Sequence, residues 1–473
     1  MIRHSLLPFS KIILAGGDAA ASLGALAAAL ILRYGGSPDP AIVELYAFAA
    51  PFLVTLWLAV LLIFGLYDIR LAKNEPAFYE RLTRALAFAL AVTVILFYFI
   101  PEFGLRPLGT LVIIFLALGV LLAVWRRAFN TLIARRTKSR ILFYGFTEEG
   151  AGLARFLMAN PQLGYLPFGC ISDNGTAGHS GLALSSFSPA DELAAIVREH
   201  GINLIVVAHD IKRTRPLIRS LFGVLPLGVG IVDFDRFYES VEGKVPVSLI
   251  SESWFLENLI GQRRPRYEAA KRLLDLVLAL SLGVATAILL PVIAPAVVLS
   301  TPGDVIRYRA RRARKGDGII FFRQPRVGRN GKVFDFLKFR SQRLGAERFG
   351  SEKDIGVDPR SYPIGDFLRK TYLDELPQVW NVIRGEMSFV GPRPERPEFV
   401  EELSRAIPFY RMRELVLPGI TGWAQINMQN DASVADAPEK MQYDLYYIKN
   451  RSLFLDLTIL LKTALKLLQR SGR

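Results

Sequence analysis

Asp374 and Glu375 stand side by side in Phe367-Leu-Arg369-Lys370-Thr-Tyr-Leu-Asp374-Glu375-Leu-Pro377-Gln-Val-Trp-Asn381. Pro377 suits the first residue of a helix, so both carboxylates fall just ahead of a helix N-terminus, whose partial positive charge favours anions. A lone Asp-Glu pair caps a helix far more often than it does chemistry. Here cations surround it: Arg369 and Lys370 in the same run, and Lys338 and Arg340 in Phe334-Asp-Phe-Leu-Lys338-Phe-Arg340-Ser341. The second run alternates like a strand, which puts Lys338 and Arg340 on one face, where two cations can hold a diphosphate. Neighbouring carboxylates in such a field can divide phosphoryl transfer between them, one attacking phosphorus while the other binds Mg²⁺. That chemistry depends on positioning and on neutralising developing charge. Val390-Gly391-Pro392-Arg393-Pro394 and Leu417-Pro418-Gly419-Ile420-Thr421-Gly422-Trp423-Ala424-Gln425 read as pocket walls, with Arg393 fixed on a proline-stiffened loop.

The elements that carry these residues belong to a chain of 473 residues, long enough for two or three domains. It is 51% hydrophobic yet has a formal charge of +15, a combination that suggests a membrane protein with a cationic cytoplasmic face. No nucleic-acid recognition motif accompanies the charge, so a nucleic-acid partner is not expected. Cys170 is the one cysteine, which excludes an internal disulfide, and the four scattered histidines offer no standard zinc site.

Four apolar stretches, roughly 6–32, 42–66, 82–100 and 108–125, are each long enough to cross a bilayer. Arg70, Lys73, Arg81 and Arg84 follow the second, and Arg126, Arg127, Arg135, Arg136, Lys138 and Arg140 follow the fourth. By the positive-inside bias, both ends of this four-helix transmembrane bundle, residues 1–138, face the cytoplasm. Asp18 within the first stretch reads as facing neighbouring helices more readily than as a functional charge.

Residues 139–262 alternate strand and helix patterns, which predicts a degenerate Rossmann-like α/β domain with a parallel sheet. Its first turn, Gly145-Phe-Thr147-Glu148-Glu149-Gly150, has threonine where a dinucleotide fingerprint needs glycine, and two acids where phosphate would sit. A structural or dimerising role is expected, with Asp173 as turn chemistry. A fifth apolar stretch, 273–299, should not cross, because Arg307, Arg309, Arg311, Arg312, Arg314 and Lys315 would then lie outside. A re-entrant membrane helix over 271–299, broken at Pro291 with help from Pro295, satisfies both length and charge. The tail, 453–468, has the spacing of an amphipathic or packing helix.

The order of these motifs is highly specific, and residues 265–473 resemble the bacterial sugar transferases, the monotopic polyprenyl-phosphate phosphoglycosyltransferases. The features that match are Lys271-Arg-Leu-Leu-Asp275, the proline-broken helix, Phe322-Arg-Gln-Pro-Arg-Val-Gly328, Lys338-Phe-Arg-Ser, Leu373-Asp-Glu-Leu-Pro377, Gly391-Pro-Arg-Pro394 and Pro418-Gly-Ile-Thr-Gly422. With the bundle and the middle domain, the whole chain resembles the long form of that family.

The resemblance implies a multidomain inner-membrane protein whose α-rich catalytic domain, 263–473, lies on the cytoplasmic face. It implies transfer of a sugar 1-phosphate from a UDP-sugar to undecaprenyl phosphate, with release of UMP, as the first membrane step of exopolysaccharide, capsule or O-antigen synthesis. Asp374 would be the nucleophile of a phospho-aspartyl intermediate and Glu375 would assist Mg²⁺. Lys338, Arg340 and Arg369 would hold phosphates, Arg393 would line the pocket, and a homodimer is expected. The sequence departs from the family pattern in the basic insertion 304–320, at Asp358-Pro-Arg360-Ser-Tyr-Pro, and at Tyr372, where serine is usual.

Two other classes compete. A membrane-bound nucleotide-sugar dehydratase would need a second glycine fingerprint beside a Tyr-x-x-x-Lys, and Tyr267 and Lys271 have that spacing without the fingerprint. A non-catalytic scaffold on anionic lipid would leave the carboxylate pair and its cations unexplained.

Overall fold

The computed structural model describes residues 6–35, 38–99, 108–135, 138–171, 182–188, 192–208, 215–247, 252–259, 264–309, 318–344, 360–428 and 436–470. Asp173, the basic run 310–317 and Asp358 lie outside the described residues. The chain divides into two compact units, Met1–Tyr238 and Glu239–Arg473.

The first unit opens with four long helices, α1 (Leu6–Tyr34), α2 (Pro40–Ile63), α3 (Pro76–Phe99) and α4 (Leu108–Arg135). Within α1, α2 and α4, the stretches Lys11–Tyr34, Pro40–Ile63 and Gly109–Ile133 are each long and apolar enough to cross a membrane. α3 is the fourth member, and it carries Glu80, Arg81 and Arg84 in its first turns. The helices neighbour one another as α1–α2, α2–α3, α3–α4 and α1–α4.

One ion pair sets the α1–α4 contact. Asp18 Oδ1 accepts a 3.0 Å hydrogen bond from Arg126 Nε and Asp18 Oδ2 lies 2.5 Å from Arg126 Nη2, with both side chains almost fully buried. Arg126 also donates to the Leu66 carbonyl, so it ties the end of α2 to the same point. Arg126, which the sequence groups with the cytoplasmic cations, is thereby a structural residue of the bundle.

Five parallel strands follow: β1 (Ser139–Tyr144), β2 (Tyr165–Ile171), β3 (Ser185–Phe187), β4 (Leu204–Val207) and β5 (Gly230–Asp233), in the order β3-β2-β1-β4-β5. The helices α5 (Glu148–Ala159), α6 (Leu193–His200), α7 (Arg215–Val224) and α8 (Phe234–Glu242) alternate with them. β4 is buried along its length, as a parallel strand covered on both faces must be. The edge strand β3 is short and polar, and periodicity does not reveal it. At the first turn, Thr147 Oγ1 accepts from Gly150 N at 3.2 Å and so occupies one of the amides that a phosphate would need.

The second unit contains α9 (Glu252–Asn258), α10 (Pro265–Leu299) and α11 (Pro302–Arg309), then the antiparallel pair β6 (Phe321–Val327) and β7 (Val333–Phe339). α12 (Pro363–Lys370), α13 (Gln378–Arg384), β8 (Ser388–Val390), α14 (Pro397–Ala406), β9 (Gly419–Thr421), α15 (Trp423–Asn427), α16 (Ala437–Asn450) and α17 (Leu453–Arg470) complete it. Its core takes in Val245, Val247, Trp254 and Phe255, which precede α10 in the chain. Those apolar side chains find their burial partners on α14 to α17, not on the parallel sheet.

α10 is long and apolar enough to cross a membrane. It runs through Pro291 and Pro295 as one helix, where an interruption at Pro291 was expected. A proline removes one backbone bond and leaves its neighbours to continue the ladder.

Truncating one member of the buried pair strands the other charge, at a cost of about 3–5 kcal/mol. Asp18→Ala is therefore expected to lower the unfolding midpoint of the chain in detergent micelles. Asp18→Leu combined with Arg126→Met should recover most of that loss.

Candidate active site

The carboxylate pair lies on a 3₁₀ turn, Leu373–Glu375, that feeds through Pro377 into α13. Tyr372 precedes it in the left-handed region at φ 57°, a conformation costly for a bulky residue. That residue turns the chain sharply between the end of α12 and the carboxylates.

Lys338, on β7, reaches both acids. Its Nζ is 2.7 Å from Glu375 Oε1 and 3.7 Å from Asp374 Oδ2. Arg393 Nη2 donates to the same Glu375 oxygen at 3.3 Å. Arg369 lies near enough to act on Asp374 electrostatically while its Nη2 binds Asp366 Oδ1 at 2.5 Å.

The two acids differ in consequence. Burial pushes the Asp374 carboxyl above its ordinary value, against the pull of Lys338. Burial acts the same way on Glu375, but Lys338 and Arg393 together outweigh it and hold that carboxyl down at about 2. Like-charge repulsion falls mainly on one member of a close pair, which is how two neighbouring acids acquire separate tasks.

Arg340 departs from the expectation. It is 3% exposed, and its guanidinium binds Asp304 Oδ2 at 2.7 Å, Thr301 Oγ1 and the Ile319 carbonyl. It shares a strand face with Lys338, but it follows the end of β7 and turns to the start of α11, so it anchors that segment rather than joining Lys338 at the carboxylates. Asp304, at the start of the basic insertion, is thereby accounted for.

Arg393 is held from behind. Arg413 Nη2 donates to the Arg393 carbonyl at 2.9 Å, and Arg326 Nη1 to the Pro394 carbonyl at 3.0 Å. Arg413 in turn binds Asp444 Oδ2 at 2.8 Å, and Glu395 accepts from Lys440 at 2.7 Å. The sequence reading misses this network. Its members are spread over more than a hundred residues on β6, the proline loop, the 3₁₀ turn Tyr410–Leu415 and α16, and nothing in the spacing links them.

The two proline- and glycine-rich runs interlock. β8 pairs with β9, and a Cβ on Gly419 would come within 2.1 Å of the Gly391 nitrogen. Pro392, Arg393, Pro394 and Pro418 line one crevice together with Arg413 and Glu414.

α10 is fastened to the same domain at both ends. Near its start, Arg272 donates to the Val382 and Ile383 carbonyls at 2.7 and 2.9 Å, which closes the C-terminus of α13. Asp275 Oδ1 accepts from Ser388 Oγ and Phe389 N, each at 3.0 Å. Near its end, Ile293 and Val297 pack with Phe339, Leu368, Leu373 and Leu376. Between them Leu280, Val284, Ile288 and Val292 are more than half exposed. Tyr267 and Lys271, the chance Tyr-x-x-x-Lys, both bind Asp456 Oδ2.

Among the described residues no group of three His, Cys, Asp or Glu side chains could hold a metal by itself.

A family described as bacterial sugar transferase matches residues 312–470, and one described as a CoA-binding domain matches residues 62–221. The chain is 43% identical over 155 residues to the UDP-N-acetylgalactosamine-undecaprenyl-phosphate N-acetylgalactosaminephosphotransferase of Aeromonas hydrophila, covering 33% of this chain and 37% of that protein. It is 30% identical over 344 residues to the UDP-glucose:undecaprenyl-phosphate glucose-1-phosphate transferase of Xanthomonas campestris pv. campestris, covering 70% of this chain and 66% of that protein. The protein of the same description from Escherichia coli (strain K12) is 32% identical over 337 residues, with 70% and 68% covered. The chain therefore spans less than two thirds of the first two relatives. It belongs to the bacterial sugar transferase family.

Glu375 titrates at about 2 when folded against an ordinary 4.5, so the stability it contributes is present above 4.5 and lost as pH falls toward 2. Unfolding midpoints measured between about pH 3 and 7 should show that acid limb in the wild type and a flatter one in Glu375→Gln.

Proposed function

We propose that this chain transfers a sugar 1-phosphate from a UDP-sugar to undecaprenyl phosphate, giving undecaprenyl-diphospho-sugar and UMP, as the first membrane step in building a surface polysaccharide. The observation that carries the reading is the nearly buried Asp374 carboxylate beside Lys338, on a domain to which a membrane-length helix is fastened at both ends. The relatives' descriptions, which name sugar-phosphate transfer to undecaprenyl phosphate, agree with it.

In this reading Asp374 attacks the sugar-bearing phosphorus of the donor. A bond forms between its Oδ and phosphorus, and the bond to UMP breaks with its electron pair leaving on UMP. The lipid phosphate then attacks the same phosphorus, and Asp374 leaves as a carboxylate. Lys338 and Arg393 exchange their contacts with the carboxylates for donor phosphate oxygens, with Arg369 beside them. Because burial raises Asp374, the rate rises with pH through a value above the ordinary carboxyl range.

The two carboxylates are hard oxygen ligands, and Mg²⁺ commonly takes one or two such groups and completes its shell with substrate phosphates and water. Glu375 fits that partial role, beside the donor's own phosphate oxygens. When bound, the ion neutralises charge on the donor diphosphate.

α10 is read as the re-entrant helix. Both its ends touch one globular domain, which supports placing both on the same side of the bilayer, with the exposed apolar middle in the inner leaflet. The catalytic domain then faces the cytoplasm of a bacterial inner membrane, as the Lys and Arg bias around the bundle also requires. A homodimer belongs to the same reading, and light scattering on the chain in lipid nanodiscs tests it.

Asp374→Asn is expected to abolish both the covalent adduct and UMP release, a fall of about 10³-fold or more. Glu375→Gln should mainly raise the Mg²⁺ needed for half-maximal rate, by about tenfold or more. Near-normal UMP release by Asp374→Asn, in membranes supplied with UDP-glucose, UDP-galactose and an N-acetylated UDP-sugar, would remove the nucleophile from this assignment. A cysteine at Tyr308, which is 41% exposed, should resist an impermeant periplasmic thiol reagent. Labelling there would mean that α10 spans.

A further inference from the structure

The helical face that carries Asp374 also holds a polar group for which the reaction above has no use. Residues 373–384 are helical throughout, from the 3₁₀ turn through right-handed backbone at Leu376 and Pro377 into α13. At about 100° per residue, Asp374, Gln378 and Asn381 fall on one stripe, each about a turn from the next. That stripe lies along β7. Asn381 Nδ2 donates to the Asp335 carbonyl at 2.8 Å, its Oδ1 accepts from Leu337 N at 3.2 Å, and Lys338 Nζ reaches Asp374.

Gln378 sits between these two anchored groups. It is 0% exposed, and among the described residues neither its Nε2 nor its Oε1 has a hydrogen-bond partner. An amide buried with both ends unbonded is costly and uncommon in native folds, so it calls for a reason. A substrate cannot reach a fully enclosed side chain. The ionisable neighbour on the stripe, one turn away, is Asp374.

The charged groups acting on Asp374 are Lys338 from β7, Arg369 from α12 and Glu375 on its own turn. In the proposed reaction the donor phosphates draw Lys338 away. Arg369 is shared with Asp366, and Glu375 repels. An ionised, nearly buried carboxylate that loses its lysine needs another donor if it is to remain ionised.

We propose that Gln378 is a positioning residue for the reaction set out under Proposed function: as Lys338 leaves, the Gln378 amide N–H turns to the Asp374 oxygen that does not attack and holds the other in line with phosphorus. The inference rests on that reading. An uncharged donor suits the task, because it fixes the carboxylate without forming an ion pair that the attack would have to break. The amide keeps its proton throughout. The bond that forms and the bond that breaks are those of the phosphoryl step alone.

The test uses the full chain in nanodiscs, with UDP-sugar and undecaprenyl phosphate, and the variants Gln378→Met and Gln378→Leu. Both replace the amide by an apolar group of similar size, which a site with no structural hydrogen bond tolerates. The unfolding midpoint should stay level or rise, and the KM for the donor should stay within about twofold of the wild type. The kcat should fall by about 10–100-fold, so that the loss falls on turnover and not on donor binding. Wild-type kcat in both variants would overturn the proposal, since the amide would then hold no more than an internal water. A lowered midpoint, with kcat and KM worsening together, would also overturn it by showing a role in the fold. A wild-type chain that forms no adduct with any UDP-sugar would overturn the proposed function itself, and that result is read on the unmutated protein.

Discussion

Two neighbouring carboxylates that are shielded from water must still carry charge, and these demands oppose each other. Lys338 is the group that reconciles them here. From β7 it reaches Glu375 closely and Asp374 more loosely, so a single ammonium serves two acids that would otherwise drive one another neutral. Arg393 reinforces Glu375 alone. The result is asymmetric: one acid is held firmly as an anion, while the other is left with a raised affinity for a proton and a weaker partner.

Much of the second unit can be read as the support this arrangement needs. β7 must keep its register against α13, and Asn381 bonds to the strand on both sides of its amide to do so. The Arg393 loop must not relax, and Arg413 and Arg326 hold its carbonyls from a buried ionic network. Breaking one member of such a network strands the rest, so these residues act together. α10 is joined to the same frame through Arg272 on the C-terminus of α13 and Asp275 on β8. The membrane-length helix and the carboxylate turn are thus attached to the two ends of one short helix.

Several of these features were legible in residue order. The apolar lengths of α1, α2, α4 and α10, the strands β1, β2, β4 and β5, and the acid pair before Pro377 follow from local pattern. Local pattern misassigned Arg340, because alternation along a strand tells which face a side chain leaves from and not which neighbour it meets. It missed β3, whose three residues are too few and too polar for a period to register. It placed Arg126 among the cytoplasmic cations, since nothing in a helix's own sequence announces a partner 108 positions earlier. It also expected Pro291 to interrupt a helix that continues to Leu299.

What residue order settled by itself was composition and period: which stretches are apolar enough for lipid, which alternate as strands, and where acids and cations crowd together. Those properties depend on neighbours a few positions away. Tertiary structure decided which cation serves which acid, since Lys338 and Arg393 meet Glu375 while Arg340 goes to Asp304. It also decided that Gln378 would be enclosed with no partner for its amide among the described residues. Charge pairing and desolvation act over a few ångströms of space, and sequence distance does not measure that.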